Sequence, residues 1–258
     1  MKTIFIAIST IIFLTGCTKT IDVQLRSVPP QIVIQGNITN AGGPYYITIN
    51  QTVPFDAQNT YPPISNAQVI VLDSNDNVLD KFTETTPGNY ISHNLIGQVG
   101  HTYKLSVIID GKEYTASSTM PKHVAMTFLS FSRQKIFNET RNLPQVNFQD
   151  PPDVTNYYVF TVLVNNVPYK AFYAMDDRLS DGKFIRKELY MDSAYIQARD
   201  NVTVIMANVD KNIYNYFYVL QSNSGNSTVT PSNPPSNISN NALGYFGAES
   251  VDIKSEVF

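Results

Sequence analysis

Cys17 is the one cysteine in the chain, and its position decides what it can do. It directly follows Leu14-Thr15-Gly16, at the end of a leader in which Lys2 precedes apolar runs at residues 4–8 and 11–14. A basic start, an apolar stretch too short to span a bilayer and small residues before the cut are the marks of an export signal. With a cysteine next in line, the pattern is a lipobox. Small residues let a lipoprotein signal peptidase reach the backbone, and the thiol carries diacylglycerol. The expectation is a signal peptide over residues 1–16 and a covalent lipid on Cys17, with each buried acyl CH₂ contributing about 0.8 kcal/mol to anchorage. An ordinary secretory signal with an incidental cysteine is the alternative. A lone cysteine offers no disulfide half and no thiolate cluster, so the mature chain must be held by packing alone.

A second group with chemical potential is acidic. Asp176, Asp177 and Asp181 crowd the stretch before Gly182. Calcium takes six to eight oxygens from a flexible loop, which makes these three carboxylates the metal candidate. The spacing is not that of an EF-hand, and Arg178 and Lys183 dilute the charge. The plainer reading is a hairpin turn whose Asp side chains bond their own backbone, and the same pair of readings applies to Asp73 and Asp76. His93, His101 and His123 are the only histidines, none of them four apart, so a zinc site needs all three to converge. No G-x-S-x-G elbow, P-loop, H-E-x-x-H or Cys–His pair is present. A Ser–His–Asp triad need not be adjacent in sequence, but no feature points to one. The expectation is a protein that is not an enzyme and that has no cofactor beyond its lipid, with calcium as the open case.

Aromatic residues are the third group, with 16 Tyr, 14 Phe and no Trp. Most belong to a core, because alternate side chains of a strand split between core and surface. A helix over about 210–222 is different. Asp210 can cap it, and Ile213, Phe217 and Leu220 fall at i, i+4 and i+7 on one face. Tyr214 and Tyr218 are left on a neighbouring face, where exposed tyrosines suit a ligand or an interface.

The elements that must position these residues are mostly strands. Charged residues make up only 15% of the chain, against about 25% in an average soluble domain, and β-branched and aromatic types replace helix formers. Residues 17–30 read as a lipidated tether ending in Pro29-Pro30, at most about 40–45 Å long. Residues 31–121 hold some seven short strands, as in an immunoglobulin-like or prealbumin-like sandwich. Asp110-Gly111 between alternating runs signals a tight hairpin there. Gln68 to Leu72 is nearly continuous in apolar residues, as expected of a strand buried on both faces. Residues 122–258 form a second β-rich unit with the helix. Asn165-Asn166 marks a turn, and 231–241 is an ordered Asn/Pro loop in which Pro231, Pro234 and Pro235 stiffen the backbone. Asp192-Ser193-Ala194 fits a short O-glycosylation pattern. The net charge of −3 and the scattered Lys and Arg exclude a nucleic-acid face.

Three stretches of the second half also carry a resemblance. They are Asp177 to Lys183, then Val202-Thr203-Val204 with the Tyr-rich helix, then Asn233-Pro234-Pro235-Ser236-Asn237-Ile238 leading into Ala242-Leu243-Gly244-Tyr245-Phe246-Gly247-Ala248. Together with the lipobox and the opening Ile34-Gln35-Gly36, the chain resembles domain-of-unknown-function family 4249, a set of Bacteroidota outer-membrane lipoproteins. The resemblance implies an outer-membrane, lipid-anchored location. Members are often encoded beside TonB-dependent transporters, which implies a non-catalytic accessory or ligand-binding role with such a transporter as partner. The family brings no reaction with it. A structural or adhesion module of the cell envelope is the alternative. The residues after Cys17 are Thr18-Lys19-Thr20 rather than acidic, so the choice between periplasmic and cell-surface face stays open.

Overall fold

The computed structural model describes residues 29–54, 57, 60–136, 138–191, 196–224 and 231–258. The leader, Cys17 and Asp192-Ser193-Ala194 lie outside the described residues. The fold is mostly β, with a single helix among the described residues.

The first half supplies β1 (Ile32–Thr39), β2 (Tyr46–Gln51), β3 (Gln68–Leu72), β4 (Val78–Thr86), β5 (Asn89–Ile91), β6 (Thr102–Ile109) and β7 (Lys112–Thr119). They are hydrogen-bonded in the order β1-β2-β5-β4-β3-β6-β7. Every second side chain points inward, as strand geometry requires. Ile34 and Ile38, Ile47 and Ile49, Val69 and Val71, and Tyr103, Leu105 and Val107 therefore meet in one core. The two-residue hairpin between β6 and β7 forms as its chemistry predicts, with Asp110 at φ 48° and Gly111 at φ 79°.

The second half supplies β8 (Met126–Ile136), β9 (Glu139–Gln149), β10 (Tyr157–Val164), β11 (Val167–Asp176), β12 (Phe184–Glu188), β13 (Asn201–Asn208), α1 (Lys211–Ser224) and β14 (Leu243–Val257). Strands β11, β10, β13 and β14 extend the large sheet, while β12, β9 and β8 form a separate one. One face of the β10–β13 layer packs on the small sheet through Tyr158, Phe160, Val162, Val202, Val204 and Met206. The other face receives the helix, through Val159, Ala174 and Ala207 against Ile213, Tyr214 and Phe217. Asp210 caps α1 as expected: its Oδ1 accepts the backbone N–H groups of Asn212 (2.8 Å) and Ile213 (3.1 Å).

β14 binds the two halves together. Residues 243–249 pair in parallel with β1, and residues 250–257 pair antiparallel with β13. Ile238, Ala242, Phe246 and Ala248 thus complete the core of the first half, although they lie far beyond residue 121. The segment before β14 also covers open strand edges. Ser239 Oγ accepts the Thr115 N–H (2.7 Å) and its own N–H donates to the Thr115 carbonyl (2.8 Å), along β7. Asn237 accepts the Phe246 N–H (3.0 Å) and donates to the Phe246 carbonyl (2.8 Å), on β14 where β13 has not yet joined. Covered edges do not invite another chain to pair. Asn and Ser at these positions act as backbone substitutes.

One expectation is corrected. β3 is buried on one face only, through Val69 and Val71, while Ile70 and Leu72 are half-buried. Its apolar run reflects a groove on the outer face and not a covering layer.

Candidate functional site

The acidic group assembles differently from the sequence reading. Asp150, Asp177 and Asp181 bring one carboxylate oxygen each within 4.8 Å of one another. Asp176 turns away to a separate cleft. Asp150 sits just past β9 and is drawn in by the β9–β12 ladder, which continues as Asp150 N–H to the Lys183 carbonyl (3.0 Å). Its two oxygens are engaged, by the Tyr158 hydroxyl and by the Gly182 N–H (3.0 Å). Asp177 Oδ2 accepts the Asn156 N–H (2.6 Å). Burial raises the Asp150 pKa, with repulsion from Asp177 and Asp181 adding to it and the bonds from Tyr158 and Gly182 opposing it. Such a trio can meet a cation with three carboxylates, but its bonds first of all clamp the 150–156 and 177–183 loops together. Asp150→Ala is expected to cost about 1–3 kcal/mol, because the buried Tyr158 hydroxyl loses its acceptor. A thermal melt unchanged from wild type would remove the clamp.

Tyr214 and Tyr218 part company. Tyr214 is buried at 8% exposure, whereas Tyr218 is 52% exposed. The Tyr214 ring lies 4.9 Å from that of Tyr157, and its hydroxyl donates to Asp176 Oδ2 (3.0 Å). Burial and the Asp176 carboxylate push the Tyr214 phenol up to about 12. Burial works against ionisation of Asp176, but bonds from Arg178 (2.8 Å) and Tyr214 outweigh it and hold the carboxyl below its ordinary value. Tyr214 is therefore not an exposed ligand group. The end of β11 covers it, because an apolar helix stripe is wider than the three positions that define it. What remains is a cleft of about 310 Å³ among Asp176, Arg178, Lys211, Asn215 and Tyr218, with the half-buried Tyr157 and the buried Tyr214 also in its wall.

A larger groove, of about 730 Å³, lies on the outer face of β3, β6 and β7. Ile70, Leu72 and Ile238 make its apolar lining, and Ser106, Thr115 and Asn237 place polar groups among them. Lys104 and Asp76 pair across its rim at 2.6 Å. This volume and mixture fit a small-molecule site. One wall is Ser236 to Ser239, the end of the Asn-Pro-Pro-Ser-Asn-Ile stretch.

The family model for Domain of unknown function (DUF4249) matches residues 18–255. The chain belongs to this family. The DUF4249 match runs from the residue after Cys17 almost to the end of β14, so it takes in both halves, the helix and the groove wall. No curated protein matches the sequence. Among solved structures, a two fibronectin type-III domain segment from chicken tenascin is similar at 11% identity, over 89% of this chain and 98% of that one, with a TM-score of 0.24.

Among the described residues, no second group of three His, Asp or Glu converges as Asp150, Asp177 and Asp181 do, so the three histidines do not meet as a metal site. The sequence reading missed Asp150 and the groove. Asp150 stands in Gln-Asp-Pro-Pro without a motif, and only strand pairing brings it to the others. The groove did leave a trace, the two outward apolar residues of β3.

Proposed function

We propose that this DUF4249 protein is a non-catalytic binding protein, held by a lipid on Cys17 at the outer membrane, and that it serves as accessory to a TonB-dependent transporter. The groove over β3, β6 and β7 carries the reading. Outward apolar residues on a strand cost free energy unless something covers them, and Ile70 and Leu72 sit beside polar groups that can orient a ligand. The stretch that carries the family resemblance builds one wall of that groove. The leader ending in Leu-Thr-Gly-Cys supports the anchor, and the transporter is what the family resemblance implies.

Three measurements test this. Cys17→Ser is expected to release the protein from membranes into the soluble fraction, and continued membrane association would refute the anchor. Affinity purification of the tagged protein from gently solubilised membranes should recover a TonB-dependent transporter in stoichiometric amount. Ser106→Trp, which fills the groove from an outward position on β6, should keep that recovery while abolishing uptake. Recovery of the lipoprotein alone would replace the accessory role with a structural or adhesion role.

A further inference from the structure

A second cavity lies on the sheet face that carries α1. Its volume is about 290 Å³. The floor is Val159, Thr161 and Ile205 with Val251, and Phe172, Phe217 and Tyr245 stand at its side. Phe217 lies 5.0 Å from Phe172 and 5.1 Å from Tyr245, ring centre to ring centre, so the three rings form an aromatic corner. Into this apolar space projects one acid, Glu249, at 7% exposure. Its Oε2 accepts the Asn37 amide N–H (3.1 Å). Among the described residues, no donor is placed on Oε1.

A carboxylate in such surroundings is unfavourable unless it is neutralised or paired. Lysine and arginine are absent from the lining, and the other charge that acts on Glu249 is Asp210, also an acid. The site therefore repels anions and holds a vacant acceptor for a donor that brings positive charge. Aromatic faces add attraction for a cation. The rest of the lining is mostly apolar, with Val159, Ile205, Val251 and Ile253 beside the hydroxyls of Thr39 and Thr161, which asks for a largely apolar body on the same ligand.

We propose that the Glu249 pocket is a binding site for a small organic ammonium ion, a primary or secondary amine on a compact apolar or aromatic body. The ammonium donates to Glu249 Oε1 and lies against Phe172, Phe217 and Tyr245. An amino acid fits worse, because its own carboxylate would be carried toward Glu249 and Asp210. Burial pushes the Glu249 carboxyl up to about 7, the Asn37 bond lowers it and Asp210 raises it further, so at neutral pH an amine finds a carboxyl that it can ionise at little cost. The site does not depend on the groove over β3, β6 and β7, and it stands or falls separately from the accessory reading.

Calorimetry on the mature chain at pH 8 tests it with phenethylamine, 2-phenylethanol and phenylalanine as probes. The amine should bind about tenfold or more tightly than the alcohol, the margin of one charge-assisted hydrogen bond, and phenylalanine should bind weakest. Glu249→Gln should erase the preference for the amine over the alcohol. Thr161→Tyr, which fills the pocket from a half-buried strand position and keeps the carboxyl, should abolish both, and it serves if the first variant fails to fold. Equal binding of amine and alcohol, no binding of either, or an amine preference that survives Glu249→Gln would each overturn the proposal and leave Glu249 as a neutral acid bonded to Asn37.

Discussion

Gly244→Ala is expected to destabilise the fold strongly, by roughly 2–5 kcal/mol. Gly244 has φ +96°, and a Cβ there would lie 2.0 Å from the Ile34 carbonyl oxygen and 2.8 Å from its carbon. Both atoms are backbone of β1, held in register opposite Gly244 by the parallel ladder, so neither can rotate aside. The left-handed conformation costs an alanine roughly 1–2 kcal/mol and the forced separation of strands roughly 1–3 more. Against a typical total stability of about 5–15 kcal/mol, a loss of this size shifts the melting temperature by roughly 4–20 °C. The damage also falls where β14 first joins β1, the pairing that ties the second half to the first. Gly111→Ala is the control, because Gly111 also has positive φ (+79°) but its Cβ would meet nothing within 4 Å. That variant should lose only about 1 kcal/mol. Equal melts for the two variants, followed by circular dichroism, would show that the β1–β14 register is wrong.

The contrast between these glycines also marks what can be read from sequence. Asp110-Gly111 announces its hairpin because a two-residue turn is decided by the turn residues themselves. The helix is legible for the same reason: Asp210 caps it and Ile213, Phe217 and Leu220 define its buried stripe within a few turns. Gly244 carries no such label, since what forbids a side chain there is a carbonyl more than 200 positions away. The long hairpin of β8 and β9 was hidden because its outer part, with Arg133 and Lys135 exposed, shows little alternation of apolar and polar residues. Its pairing is set by the partner strand, as at Lys135↔Thr140 and Gln134↔Arg141. Site residues follow the same division. Tyr214 was placed correctly on its helix but not in its surroundings, because the Asp176 carboxylate that covers its hydroxyl comes from β11. Asp150 and Glu249 acquire their chemistry from strand order alone. The run over β3 was visible as an apolar anomaly, and only the missing outer layer showed that it belongs to a groove.

Glu249 makes the stability of the whole fold depend on pH, with a sign opposite to that of an ordinary paired carboxylate. Its ordinary value is 4.5, and burial, offset in part by Asn37 and reinforced by Asp210, raises it to about 7 in the folded chain. The other titratable group facing it is Tyr245, raised by burial and so neutral across this range. Between these two values the folded state holds a proton that the unfolded state has released. Fewer protons are bound on unfolding, and stability falls as pH rises. The full penalty is in place above pH 7, is absent below 4.5, and amounts to roughly 3 kcal/mol. Glu249→Gln keeps the shape and the Asn37 contact but cannot ionise. Chemical denaturation at pH 5 and pH 8 should therefore show the variant close to wild type at the lower pH and more stable by about 2–3 kcal/mol at the higher. A saturating amine should narrow that gap at pH 8 by stabilising the wild type alone, since a ligand bound only by the folded state adds its binding free energy to folding. A variant with the same pH dependence as wild type would mean that Glu249 ionises freely, and the apolar pocket around it would have to be open to water.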